Sequence, residues 1–210
     1  MGKKLVEAYD AYLRSNIKTV GIYTLCRRVL EKGDDLNATE PASSSGKYHP
    51  IADLGEGGLV RHSIMVAEVA KILMRSRPLY DNEFDHDVVV ISAVLHDVCK
   101  YEMPHDGSKV HTNFTHPTKA AELIKIAGEE LSKEDPNFNY IETSVRVAKN
   151  VMSHMSRWNT SKYAPGVELP QVEDEEQRII SDSDLIAANA TLPETMNTFR
   201  EMAIKTMVGR

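Results

Sequence analysis

Apolar residues recur every three or four positions along most of the chain, which is the spacing of helices that bury one face. This pattern predicts an all-α protein. The predicted helices lie at two places before residue 33, after Gly57-Gly58, over 84–100, after His116-Pro117, over 141–155, after 173–176 and over 191–210. The run 88–91 (VVVI) favours a strand by composition, but it continues without a turn signal between flanking helices, so a helix is predicted there too.

Three segments interrupt the helical pattern and are predicted to be loops. They cover residues 33–55, 102–115 and 156–172, and each contains proline or glycine among polar residues. Because binding residues are often carried by loops on a rigid scaffold, any substrate specificity is expected to reside in these three segments.

Composition narrows the class of protein. The 210 residues suit one domain, and 41% hydrophobic with 27% charged residues is ordinary for a soluble fold. The net charge of -6 argues against a partner such as duplex nucleic acid. No run of 18 apolar residues predicts a membrane span. Cys26 and Cys99 fall in different predicted helices without CxxC spacing, which indicates reduced thiols and a cytoplasmic protein. The sequence leaves open whether the protein forms a homo-oligomer.

The most informative chemistry is the pair His96 and Asp97, which follows directly after the largely apolar run 88–95. Desolvating an imidazole and a carboxylate together costs several kcal/mol unless something compensates. A cation compensates both groups, because neutral imidazole nitrogen and carboxylate oxygen are metal ligands. The pair alone is a weak motif, so its meaning depends on further ligands.

Further candidate ligands lie on other predicted helices. His62, His116 and His154 each lie where an apolar helix begins or ends, and Asp184 interrupts an otherwise apolar helical stretch. Asp182 is a rival to Asp184 for the same role. A helical bundle can direct side chains from several helices at one central point, so a metal site in the bundle core is predicted.

Five segments, read together, resemble the HD superfamily of metal-dependent phosphohydrolases. They are 57–63 (GGLVRHS), 95–100 (LHDVCK), 115–117 (THP), 153–158 (SHMSRW) and 183–187 (SDLIA). The glycines before the first histidine and the Ser-His before a tryptophan are similar to the HD module of bacterial 3′–5′ exoribonucleases. The resemblance implies one HD domain over 1–210, with N-terminal helices and a loop at 1–54, a core at 55–190 and a last helix at 191–210.

The resemblance also implies a ligand set for one or two divalent ions. One ion would be held by His62, His96, Asp97 and Asp184. In two-metal members Asp97 would bridge, and His116 and His154 would bind the second ion. Met155 stands where many two-metal relatives have a histidine, so water or substrate phosphate would complete that ion. Nitrogen and oxygen ligands without thiolate are compatible with Mn, Fe, Co, Ni, Zn or Mg.

The expected function is hydrolysis of a phosphomonoester or phosphodiester bond in a small nucleotide-like substrate by metal-activated water. Asp97 and Lys100 are the predicted catalytic residues, and Arg61, Lys100 and Arg157 are candidates for phosphate contact. Lys100 could equally be a lysine whose positive charge stabilises the C-terminal end of the helix through the helix dipole. Alternative functions are a non-catalytic nucleotide or phosphate sensor, a 3′–5′ exonuclease on short single-stranded RNA or DNA, and a bundle that the metal only stabilises.

Overall fold

The computed structural model describes residues 2–33, 39–43, 49–75, 82–101 and 112–189, with side chains from residue 5 onward. Its described helices are α1 (Gly2–Asn16), α2 (Val20–Lys32), α3 (Gly58–Arg75), α4 (Glu83–Leu95), α5 (His116–Glu134), α6 (Tyr140–Met152) and α7 (Glu175–Ala188). Short 3₁₀ helices cover Ile51–Asp53 and Ser156–Trp158. The all-α prediction is confirmed.

Helix α4 lies at the centre of the bundle. It packs against α2, α3, α6 and α7, and every residue from Asp87 to Leu95 is buried. A helix that is apolar on all sides is stable only when neighbours surround it. This burial explains why the valine-rich run forms a helix here despite its strand propensity.

A buried carboxylate fastens the start of α2 to α4. Asp87 is fully buried, and its Oδ2 accepts hydrogen bonds from the backbone N–H groups of Lys18, at 2.8 Å, and Thr19, at 2.6 Å. Both amides lie just before α2, at and next to its N-cap residue Thr19, where no carbonyl of the helix can accept from them. The contact therefore sets the position of the N-terminal helices on the core.

Two predicted helix ends are wrong by several residues. Helix α4 ends at Leu95 instead of residue 100, and residues 96–99 form a turn. The turn ends at Cys99, whose φ of 66° lies in the left-handed region that a helix does not continue through. Helix α6 ends at Met152 instead of residue 155, so His96 and His154 both follow a helix end.

The predicted loop 156–172 contains a two-stranded antiparallel hairpin, β1 (Thr160–Ser161) and β2 (Ala164–Glu168). Helix α7 begins as its acidic run predicts, because Asp174 forms a capping box with Gln177. The predicted helix over 191–210 and most of the loop 102–115 lie outside the described residues. Among the described helices, none is both long and apolar enough to cross a membrane.

Candidate metal centre

Three histidines at helix ends are oriented by one shared hydrogen-bond pattern. His96 is the C-cap of α4, His116 is the first residue of α5, and His154 follows α6 by two positions. In each case the ring Nδ1 lies 2.7–2.8 Å from the carbonyl oxygen three residues earlier, which can only accept. The helix ends therefore hold these rings so that Nδ1 is the donor and Nε2 faces the interior.

This orientation leaves lone pairs without a donor. A neutral imidazole that donates through Nδ1 carries a lone pair on Nε2. The Nε2 atoms of His116 and His154 are only 3.2 Å apart. The buried Nε2 of His96 has no hydrogen-bond partner among the described residues. Lone pairs this close repel one another unless a proton or a cation lies between them, so the arrangement fits a bound cation.

Asp97 lies between two groups of histidines and presents one oxygen to each. Its Oδ2 is 3.3 Å from Nε2 of His96 and 3.8 Å from Nε2 of His62. Its Oδ1 is 3.0 Å from Nε2 of His116 and 3.7 Å from Nε2 of His154. A carboxylate placed in this way can serve two adjoining cation positions, one on each side.

Helices α3 and α7 complete the side that contains His62. The Nε2 of His62 is 3.0 Å from Oδ1 of Asp184, and the same oxygen is 3.7 Å from Nε2 of His96. Asp182 instead lines a separate cavity beside Trp158. Of the two rival carboxylates, the structure therefore brings Asp184 to the histidines.

The residues present fit a divalent ion. Ligand atoms of His62, His96 and Asp184 all lie within 4.8 Å of one another, and so do those of His96, Asp97 and His154. The donors are imidazole nitrogen and carboxylate oxygen, which suit Mn, Fe, Co, Ni, Zn or Mg according to the geometry available. The donor set therefore does not by itself select one metal.

The electrostatics keep Asp97, Asp184 and His154 in the protonation states that metal binding requires. His96 differs: burial alone would lower its pKa, but Asp97 and Asp184 outweigh burial and raise that pKa, so its imidazole would release a proton when a metal binds. Burial alone would raise the pKa of Asp97, but the Lys100 ammonium and the adjacent imidazoles of His96 and His116 hold that pKa well below its usual range. The pKa of Asp184 is also lowered, because the hydrogen bond with His62 and nearby imidazoles outweigh its burial. Burial, together with neighbouring histidines, lowers the pKa of His154 to about 3. Charged carboxylates and a neutral imidazole need not release a proton when a metal binds.

The three basic residues expected at a phosphate differ in their surroundings. The Lys100 ammonium lies 2.5 Å from Oδ2 of Asp97, and its side chain is only 11% exposed. Arg157 is exposed in the 3₁₀ helix after His154. Arg61 donates to the backbone carbonyls of residues 52, 54 and 56, so its guanidinium fastens the segment before α3. A phosphate contact stays a prediction for each of them.

Sequence reasoning missed two residues that contact this cluster from the segment before α3. Asp53 is fully buried, and its Oδ2 lies 3.8 Å from Nδ1 of His62. That nitrogen has no hydrogen-bond partner among the described residues. His49 places its ring edge-on against His62, with centroids 4.6 Å apart. Both lie in a predicted loop with a polar sequence, so no periodic signal distinguishes them.

The His and Asp residues that converge here come from segments spread over more than half of the chain. The family model for the HD domain matches residues 59–189. The chain belongs to the HD domain family. HD domains are typically metal-dependent hydrolases, which agrees with the buried nitrogen and oxygen ligands of this HD domain. No curated protein and no solved structure matches the chain. The closer likeness to exoribonuclease HD modules therefore stays a prediction.

Proposed function

We propose that this HD domain is a phosphohydrolase that cleaves a phosphoester bond in a small nucleotide-like substrate. The observation that carries the proposal is the position of Asp97, whose two oxygens face two different groups of histidines. A site with two adjoining cation positions suits the displacement of one oxygen by another at phosphorus, because both oxygens need positive charge near them.

The residues divide into two groups around Asp97. His62, His96 and Asp184 with one oxygen of Asp97 would hold one ion, and His116 and His154 with the other oxygen would hold a second. Divalent ions held there would supply a nucleophilic water at neutral pH and positive charge for the phosphoryl oxygens. The protein itself would hold these imidazoles with Nε2 facing inward, through their Nδ1–H bonds to helix-end carbonyls.

Lys100 supplies a positive charge next to this centre. Its ammonium contacts Asp97 across three positions of the turn that contains the left-handed Cys99. When an ion shares the Asp97 carboxylate, Lys100 would donate instead to an oxygen of the phosphoryl group. Such a contact would stabilise the charge that develops as the ester bond breaks.

The surface beside α7 supports the proposal that the substrate is nucleotide-like. Trp158 is 50% exposed, and it lines a cavity of about 60 Å³ together with Arg157, Arg178 and Asp182. This cavity is far smaller than the roughly 300–1,000 Å³ of an enclosing ligand pocket. It would therefore hold the edge of a stacked base and leave the rest of the substrate open to solvent.

The test compares two carboxylates that lie two positions apart on α7. Wild type, Asp184→Asn and Asp182→Asn are loaded with Mn, Co, Ni or Mg, and the ion content is verified by elemental analysis. Each is assayed against nucleoside monophosphates, deoxynucleotides, cyclic dinucleotides and short single-stranded RNA. We expect hydrolysis by loaded wild type and the wild-type ion content in Asp182→Asn. Asp184→Asn should lose its ion and at least about 100-fold of the activity.

Two results would contradict the proposal. The first is loaded wild type that releases no phosphate and hydrolyses no phosphodiester while a nucleotide raises its melting temperature, which would favour the sensor function. The second is an Asp184→Asn protein that retains both its ion and its activity, which would remove the assigned ligand set.

A further inference from the structure

His49 forms part of the wall of the metal centre, although it belongs to the segment before α3. Its ring lies edge-on to His62, with an interplanar angle of 77°. The ring of His49 therefore borders the centre on the side of His62.

Both ring nitrogens of His49 are buried, and neither has a hydrogen-bond partner among the described residues. Burying a donor or acceptor without a partner costs about 1–3 kcal/mol. An imidazole always carries at least one N–H donor, whichever nitrogen is protonated. A ligand with acceptor oxygens would offset this cost, and hydrolysis of a phosphoester presents such oxygens next to the metal centre.

The geometry separates His49 from the metal ligands. The Nε2 atoms of His62, His96, His116 and His154 each lie within 4 Å of an oxygen of Asp97. Neither ring nitrogen of His49 has such a hydrogen-bond partner among the described residues. His49 is thus adjacent to the ions' position and oriented by none of the backbone carbonyls that fix the ligand imidazoles.

We propose that His49 is a substrate-contacting residue whose ring N–H donates a hydrogen bond to a phosphoryl oxygen of the substrate. The inference rests on the proposed function and extends it with a residue outside the ligand set. It assigns the segment before α3 to substrate binding, on the side of the centre that His62 borders.

The experiment uses the full chain loaded with Mn. The variants are His49→Ala, His49→Gln, which keeps an N–H donor, and His86→Ala as a control on the first turn of α4. Elemental analysis measures the ion content, calorimetry measures the affinity for inorganic phosphate, and thermal unfolding checks the fold. Where wild type hydrolyses a substrate, kcat and KM are measured as well.

We expect His49→Ala to keep the wild-type ion content and to bind phosphate about 10- to 100-fold more weakly. His49→Gln should recover part of that loss. His86→Ala removes a hydrogen bond to Asp87 but should match wild type in ion content and phosphate affinity. Loss of the ion in His49→Ala would overturn the proposal, because it would make His49 a metal ligand. Unchanged phosphate affinity in His49→Ala would overturn it too, as would loaded wild type that binds no phosphate.

The phosphate measurement also separates this inference from the proposed function. If loaded wild type binds phosphate through His49 but hydrolyses no phosphoester, the contact stands and the enzymatic proposal fails. If hydrolysis is found and His49→Ala affects neither binding nor kcat/KM, the enzymatic proposal stands and the contact fails.

Discussion

Replacing Asp97 with asparagine should abolish the stabilisation that a divalent ion gives to this protein. Asp97 is the one carboxylate among the described residues with an oxygen within 4 Å of each of the four buried histidines of the centre. Asparagine keeps the shape but loses the negative charge, so both ligand groups are weakened at once. The substitution therefore tests the whole centre and not one side of it.

The size of the effect follows from linkage. An ion present at about 1,000 times its Kd stabilises the folded state by about 4.1 kcal/mol. For a chain of 210 residues, each kcal/mol shifts Tm by roughly 2–4 °C, so loading wild type should raise Tm by about 8–16 °C. If the variant binds about 1,000-fold more weakly, the same ion concentration stabilises it by about 0.4 kcal/mol, or about 1–2 °C.

The assay is thermal unfolding of each protein after chelation and after loading with Mn, together with elemental analysis. The shift on loading is compared within each variant, because Asp97→Asn also removes the partner of Lys100 and changes the chelated state. Asp182→Asn, on the same helix as Asp184, is the matched control and should keep the wild-type shift. An Asp97→Asn protein that retains both its ion content and the full shift would refute the assignment of Asp97 to the centre.

Three further predictions concern the support of the site. Gly58→Ala should lower the free energy of unfolding by about 1–3 kcal/mol in urea titrations, because its Cβ would overlap the carbonyl oxygen of Asp53. Asp53→Asn should weaken metal binding by about 10- to 100-fold in chelator competition, since a carboxylate beside Nδ1 of His62 favours the metal-binding tautomer. Asp87→Asn should destabilise the protein at pH 7, with a difference that shrinks in acid. Burial alone would raise the pKa of Asp87, but hydrogen bonds from His86 and from backbone N–H groups lower it.

The sign of the acid effect follows from the lowered pKa of Asp87. The carboxylate stabilises the fold above its unfolded pKa of about 3.9, and this contribution is lost as the pH falls through the lower folded pKa. Urea titrations of wild type and Asp87→Asn between pH 7 and pH 3 measure it, and a constant difference would contradict the reasoning. The other two predictions have their own contradicting results. A Gly58→Ala protein as stable as wild type would contradict the predicted overlap, and an Asp53→Asn protein that binds Mn as tightly as wild type would contradict the role given to Asp53.

The helical fold and the candidate residues of the centre could be predicted from local patterns in the chain. The three- and four-residue apolar spacing is a local property, and it depends only on which face of each helix must avoid water. The histidines were recognisable because each stands where an apolar run meets a helix end. Helix α4 is an intermediate case, because its valines favour a strand and the surrounding helices decide the outcome.

Which of these groups come into contact depends on how the helices pack. Asp182 and Asp184 are two positions apart and chemically identical, and the rotation of α7 against α3 brings Asp184 to His62 across 122 positions of sequence. Asp53 and His49 have no periodic signal, because an irregular segment places its side chains through contacts with the helices it covers. Such contacts join distant residues through packing, and no local pattern in the chain encodes them.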